Sequence, residues 1–497
     1  MFLVAAGWFW MARNPSARLR FASPVRPDLS RQPAELTALV EAAEARVRSP
    51  AAASEGLIEL GSLYHANGYL AEADGCWQQL QTEQPTNARW PYLQAEVRRR
   101  QSDYPAMIAL LEKTTTLDPA CAPAWLRLAD HEFKTGRIEA AAAHYAKRAA
   151  IWNQDPYARL GLVRVAVQEG QREEARRQVE ALVALHPRFA AARNFYAEML
   201  AADGDRDGAR VQRWLGREAG RFREADDPWL DGLVDWCRDP GTLQLLATVQ
   251  FQTGRGAAAR QLMERAIALA PKDPNLRESA GDLYLKLGDP AAARITLEAG
   301  LAIATGKPVS IPHYVYLNQA CRQLRQPAEA LRLVEDGLRH HPDAFELHNA
   351  RGQTLEELNR PAEALAAYRR SVELSPNDAE CNFNLATALL QREEFDEARR
   401  HLRQALTLQP TFPKALKLLA KLELAAGTAR TAEEFLLPLY EAQTGDPQVR
   451  ELMVEWHLLA GRVPDARKVL QEGAMIARTM GNVAEANRCE ETLRNLP

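Results

Sequence analysis

The chain has 497 residues, 46% of them hydrophobic and 26% charged, and a formal net charge of −3. That length allows roughly three ordinary domains or one extended repeat array, and a composition rich in Ala, Leu, Arg and Glu favours helix throughout. The near-balanced charge supplies no electropositive field for a phosphate backbone, which excludes nucleic acid as an expected partner.

In chain order, the first segment is MFLVAAGWFWMA, Met1 to Ala12, which is uncharged and apolar, with interface-type aromatics at Trp8, Phe9 and Trp10 and arginines from Arg13 onward. As a helix it spans only about 18 Å against a hydrocarbon core of roughly 30 Å. It reads as the distal part of a signal anchor or a short interfacial anchor, with a frayed hydrophobic tail as the plainer reading. This gives a possible membrane tether through the N-terminus and an expected location at the cell envelope, with the cytoplasm as the alternative. Residues 13–33, with their prolines, read as a linker. Residues 34–53 read as a capping helix, because Leu36, Leu39, Val40, Ala43 and Val47 fall on one helical face.

From Ser54 onward a skeleton of small, aromatic, glycine and alanine positions recurs with a period of 34 residues. Pro342, Pro376 and Pro410 keep that spacing, and in one copy, GDLYLKLGDPAAAR, Gly281 and Tyr284 precede a turn glycine, Gly288, and Ala293. Leu60, Gly61, Tyr64, Ala73 and Pro85 fit the same frame, as do Gly352, Ala364, Tyr368 and Pro376; Pro91 and Asn153 depart from it. The pattern resembles the tetratricopeptide repeat, in which each unit is a helix-turn-helix hairpin that buries its apolar face only by stacking on the next. The phase gives five units over 54–223, two over 240–307 and five over 311–480, with a short insert at 308–310 and a C-terminal capping helix at 481–497. The resemblance implies an all-α fold, a right-handed superhelical solenoid of about twelve hairpins that presents a concave groove.

The phase breaks at Glu224 to Asp239, EADDPWLDGLVDWCRD, by sixteen residues. Trp229, Leu233, Trp236 and Cys237 share one helical face, with aspartates on the remainder. A spacer helix whose tryptophans seal the joint between two superhelical blocks is the preferred reading; a hydrophobic-acidic docking point is the other.

FPKALKLLAKLEL, Phe412 to Leu424, carries Lys414, Lys417 and Lys421, three of only ten lysines. In the repeat's first helix these positions face the groove, as do Asn349, Gln353 and Asn384 in the two preceding units. Together they form a candidate site for an extended acidic peptide or a C-terminal carboxylate. Chaperone adaptors of the family carry a carboxylate clamp, to which Asn384 and Lys414 correspond, whereas Asn349, Gln353 and Leu418 do not. Pairing of Lys417 and Lys421 with Glu451 and Glu455 of the next unit is the competing expectation.

Elsewhere the chemistry is thin. The six cysteines are far apart with no C-x-x-C pair, and the ten histidines are scattered. Asp203 to Gly208 imitates the opening of a calcium loop, but the twelfth position is Trp214 instead of Glu. TGRGAAA, Thr253 to Ala259, resembles a nucleotide loop but follows a helix. No catalytic motif emerges, so neither an enzyme nor a cofactor is expected. The expectation is an interaction scaffold that binds a protein or peptide partner for assembly of an envelope-associated complex, with a peptide-sensing regulator that changes curvature as the alternative.

Overall fold

The computed structural model describes residues 26–30, 32–49, 51–220, 225–304 and 309–496. The apolar stretch 1–12 and most of the linker lie outside the described residues. Within them the chain is all α-helical: 27 α-helices and one short 3-10 helix, with no strand.

Most helices are 12–15 residues long and alternate as the first and second arms of hairpins. The local sequence explains where they start. Asp155, Asp239, Asp273 and Asp446 each precede a proline, and each carboxylate accepts a backbone N–H from the first turn of the helix it caps. Aspartate satisfies an orphan donor there, while proline loses nothing at a position that needs none.

The turns are equally regular. Left-handed residues fall at Gly68, Ser102, Gly136, Gly170 and Gly204, each 34 residues after the last. They resume at Gly254 and Gly288, and then at Arg325, Asn359, Glu393, Gly427 and Gly461, again at the 34-residue spacing. The two longer intervals match the sixteen-residue break and the short insert read from the sequence. Arms meet closely where a residue is small. A Cβ on Gly281 would lie 2.5 Å from the Cγ of Leu297, so glycine is what allows Pro274–Lys286 to rest on Pro290–Ala304.

The chain forms two compact units. One comprises Met1–His186 with Phe222–Pro271, the other Pro187–Arg221 with Lys272–Pro497. In the first, the helix Ala34–Val47 buries Leu36, Val40, Ala43 and Val47, and its cluster continues through Leu57, Tyr64, Trp77, Leu93 and Leu128. In the second, the core runs from Leu355 to Cys489, and the last helix, Val483–Asn495, covers one end by burying Ala486 and Cys489. The hairpin of Ala190–Ala202 and Arg206–Glu218 belongs to this second unit. Its Val211 and Leu215 pack with Ile476, and Arg210 donates to Glu472 at 2.7 Å while lying 4.7 Å from the Tyr440 ring centroid.

The break in the phase is not one helix. Residues Pro228–Asp231 make a single α turn and Gly232–Trp236 a 3-10 turn, after which Cys237 is extended. The expected continuous spacer helix is corrected on this point: the chain gives up helical geometry so that both tryptophans and Leu233 reach one surface.

Candidate functional site

In the second unit, the first arms Ile311–Gln323, Phe345–Glu357, Ala379–Leu390, Pro413–Ala425 and Pro447–Leu459 carry a chain of polar contacts from hairpin to hairpin. Arg322 donates to Gln353 at 2.5 Å and to Glu357 at 2.9 Å. Asn384 donates through Nδ2 to Asn349 Oδ1 at 2.9 Å, and Lys414 reaches Glu380 at 2.9 Å. Lys417 donates to Asp446 at 2.7 Å, and burial, which opposes ionisation of that carboxyl, is outweighed by the lysine together with the backbone N–H groups of Gln448 and Val449, so its pKa lies below the usual range.

These contacts arise from the period itself. Successive first arms lie side by side, so residues about 34 apart become neighbours, as i and i+4 do along one helix. Gln353 also lines a polar cleft of 600 Å³ with Asn318, Arg322 and Glu357. Of the six residues singled out from the sequence, five are thus engaged with neighbouring arms; Lys421 is exposed and makes no ion pair among the described residues.

The acids that meet the lysines are Glu380 and Asp446, where the repeat register suggests Glu451 and Glu455. Asp446 wins because it caps the next first arm: Oδ1 accepts Gln448 N at 2.8 Å, which leaves Oδ2 turned to Lys417. Glu451 and Glu455 instead line a second cleft of 480 Å³, with Val454, Leu458, Leu470 and Arg488. The Lys414 pair is surface-exposed and worth at most about 1 kcal/mol.

In the first unit, Trp229, Leu233 and Trp236 join the hydrophobic cluster built by the first three hairpins. Trp229 meets the Tyr92 ring edge-on at 5.2 Å between centroids, and Leu233 is buried. Asp227, also buried, accepts from Arg127 at 3.0 Å and from the Tyr92 hydroxyl. Arg127 further donates to Tyr92 at 2.8 Å and to Glu96 at 3.2 Å. Burial opposes ionisation of Glu96, but Arg99, Arg127 and Arg100 together bring its pKa down to about 2.

Sequence reading missed Asn67, Tyr92, Arg127 and Arg265 as partners of the break. Tyr92 and Arg127 stand on first arms, and nothing in the repeat pattern marks either as a partner of a segment 100 or more residues away.

The other two look-alikes resolve into turns. Asp205 caps Arg206–Glu218 by accepting Gly208 N at 2.9 Å, and Gly204 and Gly254 are both left-handed turn residues.

Comparison with known proteins fits this architecture. A tetratricopeptide-repeat family model matches residues 92–156 and 319–379, and a second matches 133–199 and 244–309. A model of the middle tetratricopeptide-like domain of cilia and flagella-associated protein 70 matches 352–465. Among curated relatives, the human protein O-mannosyl-transferase TMTC1 is 24% identical over 213 residues, which is 42% of this chain and 24% of that protein. The human TMTC3 is 33% identical over 89 residues, 18% of this chain and 10% of that protein. The chain therefore matches no more than about a quarter of the length of either. Among solved structures, a thermophilic tetratricopeptide protein of Thermus thermophilus is similar at 26% identity and a TM-score of 0.31, over 35% of this chain and 94% of that one.

Proposed function

Because the chain belongs to the tetratricopeptide-repeat family, we propose that it is a non-catalytic interaction scaffold. A partner polypeptide lies along the first arms between Ile311 and Leu459, and any catalysis resides in the partners. The observation that carries this reading is the row of polar side chains that cross from arm to arm, Arg322 to Gln353, Asn384 to Asn349, Lys414 to Glu380 and Lys417 to Asp446. These groups are already spaced to meet an extended backbone, and exposed pairs among them exchange partners at little cost.

The lysines Lys414, Lys417 and Lys421 select an acidic segment or a terminal carboxylate. Two relatives bear the name of O-mannosyl-transferase, yet they share with this chain only 24% and 10% of their length, so their activity is not carried over. The apolar segment Met1 to Ala12 supports a tether at the cell envelope, where the scaffold assembles its complex.

The test is a comparison of the wild-type chain with the Lys414→Glu, Lys417→Glu, Lys421→Glu variant in affinity capture from membrane and soluble fractions of the host. A stoichiometric partner in the membrane fraction that the variant loses, at unchanged helicity, is expected. Equal retention by both proteins overturns the lysine site, and a partner found only in the soluble fraction overturns the envelope assignment.

A further inference from the structure

Residues 226–238 contact the rest of the first unit in the manner of a bound peptide. The segment has only one α turn and one 3-10 turn of its own, so much of its backbone needs partners elsewhere. Side chains of other elements supply them. Asn67 donates through Nδ2 to Trp236 O at 3.0 Å and accepts Arg238 N on Oδ1 at 2.7 Å, gripping the chain in both directions. One guanidinium nitrogen of Arg265 donates to the carbonyls of Val234 at 3.1 Å, Asp235 at 3.3 Å and Cys237 at 3.1 Å.

The side chains supply the rest of the recognition. Asp227 enters a pocket formed by Arg127 and Tyr92, Trp229 stacks edge-on against Tyr92, and Leu233 is buried among residues of the first three hairpins. A charge-paired carboxylate with an apolar anchor beside it gives both register and affinity.

The segment lays its apolar side chains on one side, against the first three hairpins, and on the other Arg265 holds its backbone carbonyls. Toward the hairpin Pro240–Gln252 and Gly256–Leu269 a cleft of 670 Å³ remains, lined by Asp231, Asp235, Arg255 and Arg265. The ion pairs across it involve Asp235, 88% exposed, and Asp226, 69% exposed, which water replaces at small cost. Lifting the segment breaks its contacts with Asn67, Tyr92, Arg127 and Arg265 and uncovers the apolar surface beneath Trp229 and Leu233.

We propose that the first-arm face of Ala53–Ala66, Arg89–Arg100 and Ala122–Lys134 is a second docking site, specific for an acidic-aromatic segment. Residues 227–237 fill it in cis, and a partner carrying Asp-Pro-Trp-Leu chemistry with a second tryptophan seven residues on binds by displacing them. This site is separate from the face between Ile311 and Leu459, and neither depends on the other. Tethering gives the cis segment an effective concentration on the order of mM, so it masks the site against all but matched or abundant competitors.

The experiment uses the full-length chain and a fluorescein-labelled peptide of residues 225–239 with serine in place of Cys237. Fluorescence polarisation compares the wild type, the Trp229→Ala, Trp236→Ala variant, and that variant with Asn67→Ala added. The opened variant should bind the probe at least about ten-fold more tightly than the wild type, and Asn67→Ala should remove about ten-fold of that gain. An opened variant with wild-type circular dichroism and no affinity for the probe overturns the proposal, as does binding indifferent to Asn67. If the opened variant does not fold, hydrogen exchange on the wild-type chain decides. The probe at millimolar concentration should raise exchange in 227–237 where a scrambled peptide does not, and an unchanged pattern leaves the segment a structural strap and overturns the proposal.

Discussion

Arg127 donates from Nη2 to the carboxylate of Asp227 across 3.0 Å, joining residues 100 positions apart in the chain. The same guanidinium serves Glu96 and Tyr92, so one side chain on the third hairpin organises two acids and a phenol around the phase break.

Arg127→Ala leaves Asp227 buried without its cation, a loss that costs about 2–3 kcal/mol when the remaining partner cannot reach water. Urea unfolding should show that drop in the wild-type background. A cost below about 1 kcal/mol means the network contributes no more than an exposed pair would.

His65 sets a pH dependence. It is buried, accepts from Trp77 Nε1 on Nδ1 at 3.4 Å, and burial, reinforced by Arg100, brings its pKa down from 6.5 to about 4. Below pH 6.5 the unfolded chain takes up a proton that the folded chain refuses until about pH 4. Stability therefore falls as pH drops through that window, by up to about 3 kcal/mol, and levels off below it. Glu96 acts lower: its contribution is present above pH 4.5 and is lost as pH falls toward 2. Melting temperatures of wild type and His65→Gln from pH 7 to 4 should converge toward the acid end; parallel curves contradict the assignment.

The turns predict opposite outcomes for opposite substitutions. Arg325 and Glu393 sit at φ 59 and 62, where a side chain is strained by about 1–2 kcal/mol, while Gly288 occupies the same conformation at φ 75 without strain. Arg325→Gly and Glu393→Gly should each stabilise by roughly 0.5–1 kcal/mol after the added freedom of the unfolded chain is deducted, and Gly288→Val should destabilise by more than about 1 kcal/mol. Thermal melts of the three variants check the signs.

What the sequence disclosed was whatever repeats locally. The 34-residue spacing of turns, the small position at Gly281 and the apolar face of Leu36, Val40, Ala43 and Val47 are all set by near neighbours, and the structure bears each of them out. The phase break was misjudged in shape because Trp229, Leu233 and Trp236 do fall on a helical stripe. Their partners lie far upstream, Asn67 being 169 residues from Trp236, and tertiary capture outweighs a periodic preference that Pro228 and Gly232 already weaken. The competing expectation for the lysines named other acids than the structure shows, for a related reason. Matching repeat positions ignores the capping residue of the next arm, and Asp446 lies nearer to Lys417 than the positional match does.

The attachment of Arg206–Glu218 to helices far along the chain follows the same logic. Arg210 is buried against Glu472 and Tyr440, 262 residues from the former. Arg210→Ala should raise amide exchange in Ala190–Ala202 and Arg206–Glu218 while leaving Phe345–Glu357 unchanged. Exchange that rises everywhere indicates global loss of the unit instead.

The most direct measurement for the scaffold reading is site-specific photocrosslinking of the chain in its native host. A benzophenone side chain is introduced at Gln353 or Lys421 on first arms, or at the exposed Gln404 on the second arm Phe395–Leu408. The account predicts adducts from Gln353 and Lys421 to one and the same polypeptide and none from Gln404. Adducts from Gln404 alone, or no adduct from either first-arm position, would contradict it.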